Sequence, residues 1–280
     1  MKDSLHHVNG SWVIDNHATI SLFDLSVIRG FGIFDFLRTY HKKPFKLSEH
    51  VDRLFNSAKQ LGITVPKTKS QIEKIVHEGI KKNSYRECIA RIVVTGGVSP
   101  DGISKNENST FAVLFTEATD YPKSYYTQGV KIISREFERS FPHAKSLNYL
   151  TAVNVLSEAK KENAIEVLYL DRNRHILEGT TSNFFAVVGG KLITPKEGIL
   201  RGITRAVVIE LARKLKIPVI ESDLLYSQIE LFDEAFITAS NKEVMPVVKI
   251  DGKKIGNGRV GPVTEKLIEA YARETGKKVV

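Results

Sequence analysis

Apolar residues at helical spacing mark the clearest elements in the first half of the chain. Between residues 51 and 61 they recur three or four positions apart, at Val51, Leu54, Phe55, Ala58 and Leu61. Ser48 is a suitable N-cap and Gly62 a suitable end, so this pattern predicts a helix. Residues 71–82 repeat the periodicity and predict a second helix.

Alternating apolar and polar residues predict strands around these two helices. The alternation is found in residues 12–14, 19–22, 33–40, 89–95 and 110–115. Because strands and helices are mixed along the sequence, this part of the chain belongs to a class that combines α and β structure.

The second half of the chain contains further short strands and two strong helices. Strands are predicted at residues 130–134, 167–171, 183–188, 191–194 and 234–240, and helices at 151–161 and 204–215. Gly189-Gly190 and Asp251-Gly252 each predict the turn of a β-hairpin.

A polar and aromatic stretch without periodicity separates these two halves. We therefore predict a small N-terminal domain at residues 1–116, a linker at 117–128 and a larger domain at 129–280. A chain of 280 residues is long enough for two such domains, each with its own core.

Composition excludes several classes of protein. The formal net charge is +9, but acidic residues lie between the basic ones, so we expect no nucleic-acid partner. The single cysteine excludes an intrachain disulfide and a cysteine-based zinc site. The N-terminus lacks the apolar segment of a secretion signal, and no apolar run approaches the roughly 18 residues of a membrane helix. We expect a cytoplasmic protein with no membrane partner and no bound metal.

Two segments of the second half could bind an anion. Gly202 and Thr204 lie at the start of the predicted helix 204–215, where a glycine allows close approach and unpaired N–H groups favour a negative charge. The alternative for this segment is an ordinary helix N-cap. Ser240 and Asn241 follow a predicted strand and could supply further donors, or they could form a plain turn.

Lys145 and Glu178 are candidates for covalent and acid chemistry. Lys145 lies between a predicted strand and a helix, and Glu178 precedes three hydroxyl residues and an apolar strand. Taken singly, each residue is also explained as a solvated lysine or a turn carboxylate. Their order along the chain carries more information.

Four motifs in this order resemble those of one enzyme family. They are Lys-Ser-Leu-Asn-Tyr at 145–149, Leu-Glu-Gly-Thr-Thr-Ser-Asn-Phe-Phe at 177–185, Gly-Ile-Thr-Arg at 202–205, and Phe-Ile-Thr-Ala-Ser-Asn-Lys-Glu-Val-Met-Pro-Val at 236–247. Together they resemble the class IV (fold type IV) aminotransferases that use pyridoxal 5'-phosphate (PLP). This family includes branched-chain aminotransferases, D-amino acid aminotransferases and aminodeoxychorismate lyases, and the resemblance covers nearly the whole chain.

The resemblance implies a fold, a cofactor and a set of partners. The fold is a two-domain α/β enzyme with a smaller N-terminal α/β sandwich and a larger C-terminal barrel-like α/β domain. The cofactor is PLP, and the substrates are an amino acid and a 2-oxo acid such as 2-oxoglutarate. Family members are homodimers, so a homodimer is implied here as well.

The resemblance also implies a role for each matching residue. Lys145 would hold PLP as a Schiff base and move the substrate proton, while Glu178 would pair with the pyridine nitrogen. Tyr149 would bind the ring oxygen. Residues 47–54 (LSEHVDRL) also resemble the family's helix start that carries its phosphate arginine, which implies that Arg53 binds the phosphate. Ile203, Thr204, Ser240 and Asn241 would add donors, the last mainly through its backbone.

Departures from the family motifs concern the substrate. Typical D-amino acid aminotransferases have a tyrosine where this chain has Phe34 and a carboxylate-binding arginine where it has Gly96. Branched-chain enzymes have a tyrosine and an arginine two residues apart, and here these are Ile89 and Arg91.

A substrate carboxylate still requires a cationic partner, for which Arg29 and Arg91 are the candidates. Either could instead have no role in binding, Arg91 as a structural ion-pair residue and Arg29 as a surface residue. The residues around Arg29 and Gly96 resemble an atypical D-amino acid aminotransferase subgroup, which gives D-amino acids a slight preference over branched-chain L-amino acids. An aminodeoxychorismate lyase that releases pyruvate is the third alternative. A non-catalytic binding module would not require Lys145, Glu178 and Arg53 together.

Overall fold

Residues 4–105 and 107–277 are described by a computed structural model, in which internal packing defines two compact units. The first consists of the described residues of Met1–Thr119 together with Ala144–Asn148, and the second contains the remainder. Lys145 therefore belongs by packing to the first unit, although the chain on both sides of it belongs to the second. Within these ranges, no helix is both long and apolar enough to cross a membrane.

The first unit is a six-stranded antiparallel sheet with two long helices. Its elements are β1 (Leu5–Val8), β2 (Ser11–Ile14), α1 (Leu25–Arg29), β3 (Gly32–Tyr40), β4 (Lys43–Pro44), α2 (Leu47–Leu61), α3 (Lys69–Lys82), β5 (Cys88–Thr95) and β6 (Phe111–Glu117). The strand order is β2-β1-β6-β5-β3-β4. Val51 and Leu54 of α2 are fully buried with Leu37 of β3, as the helical spacing predicted.

Two local predictions for the first unit are wrong. The helix begins at Leu47 with Lys46 as its N-cap residue, so Ser48 lies inside the helix. Residues 19–22 form no strand, and Ile20 and Leu22 are exposed there. Alternation alone did not make a strand because no neighbouring strand pairs with this segment.

The second unit is built around a closed ring of strands. Its elements are α4 (Lys123–Thr127), β7 (Val130–Glu136), α5 (Leu150–Lys161), β8 (Val167–Leu170), β9 (Ile176–Gly179), β10 (Asn183–Val188), β11 (Lys191–Thr194), α6 (Ile203–Lys214), β12 (Val219–Glu221), β13 (Glu234–Ala239), β14 (Glu243–Ile250), β15 (Lys253–Lys254) and α7 (Pro262–Thr275). The order β10-β13-β14-β7-β8-β9 closes into a barrel because β9 also pairs with β10. This closing pair is Glu178 with Asn183.

The local predictions for the second unit agree closely with these elements. Both predicted hairpin turns, at Gly189-Gly190 and Asp251-Gly252, are confirmed. The stretch at 117–128, predicted as a linker, contains the short helix α4. Gly202, and not Thr204, is the N-cap residue of α6, and no side chain caps this helix.

Candidate active site

Lys145 lies on a short segment that extends the sheet of the first unit. Its carbonyl accepts a hydrogen bond from the backbone N–H of Phe34 at 2.9 Å, and Leu147 donates to the carbonyl of Gly32 at 2.9 Å. The N–H of Lys145 donates to the hydroxyl of Ser57 on α2 at 3.1 Å. These bonds fix the backbone of Lys145 to β3 and α2, so the position of the lysine depends on the first unit.

The side chain of Lys145 lies next to an aromatic residue. Its Nζ atom is 4.5 Å from the centre of the Phe34 ring. On the neighbouring strand, the guanidinium carbon of Arg91 is 5.8 Å from the same ring and 5.7 Å from that of Phe36. The structure therefore brings three predicted residues together on this face of β3 and β5, and the face is aromatic and positively charged.

Arg29 is not part of this group. It is the last residue of α1, it is exposed, and its Nη1 atom donates to the carbonyl of Ile28 at 2.9 Å. The helix α1 is held at its start by Asp24, which caps it and accepts hydrogen bonds from the hydroxyls of Thr95 at 2.7 Å and Thr110 at 2.8 Å.

Arg53 lies in a buried ionic cluster on the other face of β3. Its Nε and Nη2 atoms each lie 2.9 Å from a carboxylate oxygen of Asp35, which is fully buried. The Nδ1 atom of His50 is 2.6 Å from Asp35 Oδ1. This bidentate contact fixes the plane and direction of the guanidinium.

The protonation states in this cluster follow from burial and charge. Burial alone would raise the pKa of Asp35, but the positive charge of Arg53 and the contact with His50 hold this pKa well below its usual range. Burial lowers the pKa of His50, and the charges of Arg53 and Lys145 act in the same direction against the opposing effect of Asp35. At neutral pH the cluster therefore contains a carboxylate, a guanidinium and a neutral imidazole.

Glu178 is held firmly at the seam of the barrel in the second unit. Arg139 contacts its Oε1 atom through Nε at 3.0 Å and Nη2 at 2.7 Å. The other oxygen accepts from the backbone N–H of Leu200 at 3.0 Å and the amide of Asn183 at 3.2 Å. A buried carboxylate with these donors is suited to hold a cationic ring nitrogen in a fixed position.

The N-terminus of α6 is suited to bind a dianion. No acceptor among the described residues binds the backbone N–H groups of Ile203 and Thr204, and no partner there binds the hydroxyl of Thr204, which is 4% exposed. A second hydroxyl, that of Thr238 on β13, is also buried, and the described part of the chain offers it no hydrogen-bond partner. Unpaired donors at a helix N-terminus favour a phosphate group.

Asn183 links this helix to Glu178. Its amide donates to the carbonyl of Leu200 at 2.7 Å as well as to Glu178. A Cβ atom on Gly202 would lie only 2.0 Å from its Oδ1 atom, so the close approach requires glycine. The carboxylate and the helix N-terminus are thereby held in one arrangement.

The remaining predicted residues lie at the ends of elements in the second unit. Ser240 and Asn241 form the half-buried turn between β13 and β14, and Thr238 pairs with Asn183 across the sheet. Tyr149 is the half-buried residue immediately before α5. These residues fit PLP, because they offer a carboxylate for the ring nitrogen, N–H and hydroxyl donors for the phosphate, and a tyrosine for the ring oxygen.

Sequence reasoning missed the residues that orient the predicted ones. Asp35, His50, Arg139 and Asn183 each fix a candidate ligand-binding group. A signal existed for one set, because Asp35 is an acidic residue among the apolar residues of β3, and His50 and Arg53 share a helix face three residues apart. No comparable signal marks Arg139, which lies in an irregular segment after β7.

Comparisons with known proteins identify the family of this chain. Residues 32–250 match the family described as Amino-transferase class IV. The chain is 37% identical over 272 residues to the "Putative branched-chain-amino-acid aminotransferase" of Methanocaldococcus jannaschii, covering 95% of this chain and 94% of that protein. It is 31% identical to the D-alanine aminotransferase of Listeria monocytogenes serotype 4b, covering 95% and 94%.

A solved structure shows the same fold. A branched-chain amino acid aminotransferase from T.th., determined with pyridoxamine 5'-phosphate, superposes with a TM-score of 0.92 at 30% identity, covering 99% of this chain and 96% of that one. The predicted fold class, an α/β enzyme of fold type IV, is therefore confirmed, and its two sheets are an N-terminal antiparallel sheet and a C-terminal barrel-like sheet. The predicted family is confirmed as well, and the chain belongs to the class IV aminotransferases.

Proposed function

We propose that this enzyme uses PLP to transfer an amino group from a branched-chain L-amino acid to a 2-oxo acid such as 2-oxoglutarate. The observation that carries the PLP part is the fixed carboxylate of Glu178 beside an α6 N-terminus with unpaired donors. The relative named as a branched-chain enzyme is 37% identical, against 31% for the D-alanine enzyme, and this supports the branched-chain substrate over the D-amino acid that the motifs favoured.

Each residue has a defined task in this proposal. PLP, when bound, supplies a ring that withdraws electrons from the substrate Cα. Lys145 binds the cofactor through Nζ and moves the proton at Cα, and Glu178 binds the ring N–H. Tyr149 binds the ring oxygen.

The phosphate of PLP is bound in this proposal by groups from three segments. Ile203 and Thr204 donate from the start of α6, and Ser240 and Asn241 add donors from their turn. Arg53 adds a cation whose direction is fixed by Asp35.

Arg91 and Phe34 are suited to the two ends of a branched-chain amino acid. Arg91 provides a cation for the substrate carboxylate, and the aromatic rings beside it provide an apolar surface for the side chain. The structure also explains why the arginine of typical D-amino acid enzymes has no counterpart here. A Cβ atom on Gly96 would lie 2.6 Å from the Phe31 ring and 2.9 Å from Leu25, so no larger residue fits without a shift.

D-amino acids are the second candidate substrate. The Lys-Ser-Leu-Asn run at 145–148 and the D-alanine relatives favour this alternative. Arg29 could supply the carboxylate partner in that case, since its side chain is exposed at the end of α1.

A half-reaction screen distinguishes the substrates. The purified protein should show a visible absorbance band that borohydride abolishes, and L-leucine, L-isoleucine and L-valine should convert this band faster than D-alanine or D-glutamate. Absence of the borohydride-sensitive band in the wild type, or its persistence in Lys145→Ala, would overturn the cofactor assignment. Faster conversion by D-amino acids would overturn the branched-chain proposal, and pyruvate release from aminodeoxychorismate would indicate a lyase.

A homodimer is part of the proposal. Exposed apolar side chains on the first unit, including Leu22 at 76%, Phe23 at 71% and Ile103 at 72%, are surfaces that association would cover. Size-exclusion chromatography with light scattering should give twice the 31.4 kDa mass of the chain. A monomer mass at micromolar concentration would contradict this expectation.

A further inference from the structure

A second buried ion pair lies in the barrel unit, and neither of its residues has a role assigned above. Lys242 Nζ is 3.2 Å from Glu166 Oε2, and the side chains are 6% and 0% exposed. Glu166 immediately precedes β8, and Lys242 ends the turn between β13 and β14. Burial alone would raise the pKa of Glu166, but Lys242 and the neighbouring hydroxyls lower it below its ordinary value, so the carboxylate is charged.

Three consecutive hydroxyl side chains donate hydrogen bonds to the carboxylate of this pair. Thr180 donates to Glu166 Oε1, while Thr181 and Ser182 donate to Oε2 at 2.8 Å and 3.0 Å. Lys242 Nζ donates to the hydroxyl of Thr181 at 2.6 Å, so that hydroxyl both accepts and donates. The Thr180–Ser182 turn is therefore fixed by one carboxylate and one ammonium group.

The close packing of this turn also explains Gly179. A Cβ atom there would lie 2.4 Å from the hydroxyl of Ser182 and 3.0 Å from Glu166 Cγ. Any larger residue would push the turn away from Glu166.

The pair connects two segments with tasks in the proposed function. The Thr180–Ser182 turn lies between Glu178 and Asn183, whose pairing closes the barrel. Glu178 is the proposed partner of the ring nitrogen, and the amide of Asn183 donates a hydrogen bond to it. Lys242 directly follows Ser240 and Asn241, which are proposed to bind phosphate. One buried contact thus connects the ring-nitrogen side of the site with one of its phosphate-binding turns.

Stability alone is a weak reason for such a pair. Removing two charges from water costs free energy that their attraction repays only with good geometry, and apolar replacements of buried pairs are often neutral or stabilising. What an apolar pair could not do is hold three hydroxyl side chains in one orientation.

We propose that Glu166 and Lys242 are positioning residues that fix the Thr180–Ser182 turn against the Ser240–Asn241 turn, and so set the spacing between the ring-nitrogen and phosphate partners of PLP. This inference rests on the proposed function. It predicts that the pair affects cofactor affinity and turnover through geometry, without contacting the cofactor.

The test compares Lys242→Met, Glu166→Gln and the double variant with Glu234→Gln as a matched control. Glu234, at the start of β13, is also a buried carboxylate, but it accepts from the N–H groups of Val263 at 3.0 Å and Thr264 at 2.7 Å at the start of α7. Three quantities are measured for each variant: the Tm of the apoprotein, the Kd for PLP from titration of the apoprotein, and kcat and KM of the reconstituted enzyme.

Lys242→Met should lower Tm, because it leaves a buried carboxylate without its cation, and the double variant should recover much of this loss. Lys242→Met and the double variant should both raise the Kd for PLP and lower kcat by about tenfold or more, with a smaller change in KM. The reason is that a small misplacement of catalytic groups lowers the reaction rate strongly. Glu234→Gln should lower Tm but leave Kd and kcat unchanged.

Two outcomes would overturn the inference. One is a double variant with wild-type Kd and kcat. The other is a Glu234→Gln variant whose Kd for PLP rises as much as in Lys242→Met for the same loss of Tm, because Kd would then follow stability alone. Failure of the wild-type apoprotein to bind PLP would instead overturn the proposed function, and this inference with it.

Discussion

Asp35 and Glu178 are both buried carboxylates bound to an arginine, one in each compact unit, and their surroundings differ. Asp35 is 0% exposed, and its partners are the charged Arg53 and the neutral His50. The side chain of Glu178 is 8% exposed and that of Arg139 is 20% exposed, and the carboxylate also binds a backbone N–H and an amide.

Under the proposed function, the same pair of residue types serves opposite purposes in the two units. In the first unit, the enclosed carboxylate orients an arginine that we propose binds phosphate, so the acid is the supporting residue. In the second unit, the arginine and Asn183 orient a carboxylate that we propose binds a ring nitrogen, so the arginine is the supporting residue. In the Asp35 pair, the group assigned to the ligand is therefore Arg53. In the Glu178 pair, it is the carboxylate of Glu178.

The largest expected effect is on turnover when the acid of the second unit is changed. Glu178→Gln should lower kcat by about 100-fold or more, because it removes a preorganised charge at the ring nitrogen. Single-turnover measurement of the half-reaction checks this rate, and the exposed Glu230→Gln is the control. Wild-type kinetics in Glu178→Gln would remove Glu178 from the ring nitrogen.

Changing the acid of the first unit should instead affect folding and affinity. Asp35→Asn leaves Arg53 without its anionic partner, and breaking a buried ion pair typically costs about 3–5 kcal/mol of stability. Urea denaturation of the apoprotein measures this loss. The Kd for PLP should rise more than kcat falls, and the reverse order would contradict the supporting role of Asp35.

The pH dependence of stability should reflect His50. Its pKa is lowered by burial, so it contributes stability that is fully present above its unfolded pKa of about 6.5 and is lost as the pH falls through the lowered value. His50→Gln should therefore flatten the decline of unfolding free energy just below that pH. His7, whose pKa is also lowered by burial, remains in the variant and provides the residual slope. An unchanged pH profile would show that folding does not lower the pKa of His50.

The smallest expected effect is at Ser57, which connects Lys145 to α2. Its hydroxyl accepts from the N–H of Lys145 and donates to the carbonyl of Arg53 at 2.9 Å. Ser57→Ala should cost about 0.5–1.5 kcal/mol, the net value of a hydrogen bond, and should weaken PLP binding slightly.

Thr275→Ala is the matched control for Ser57. Its hydroxyl makes a similar bond to a carbonyl one turn earlier, that of Tyr271, at 3.0 Å, but on α7. This variant should lose stability without a change in PLP affinity. Equal PLP affinity in both variants would show that Ser57 has only a structural role.

The sequence predicted elements best where local chemistry decides them. The helical face of Val51 and Leu54, the Gly189-Gly190 turn and the strand at 234–240 all follow from periodicity or turn residues within a short window. It failed at residues 19–22, because a strand needs a pairing partner that alternation does not specify. The sequence-based prediction also misplaced the start of α2, because Lys46 adopts a positive φ of 54° that is unusual for a lysine.

The sequence by itself determined the family of this protein, through the order of motifs around Lys145 and Glu178. The tertiary structure decided which groups orient them. Ser57 reaches the Lys145 backbone, Arg139 reaches Glu178, and Lys242 reaches Glu166. These contacts join residues far apart in sequence, and local periodicity states only which face of an element is buried. The charged residue that lies against a buried face from another element is set by how the strands pair and how the barrel closes, as between β9 and β10.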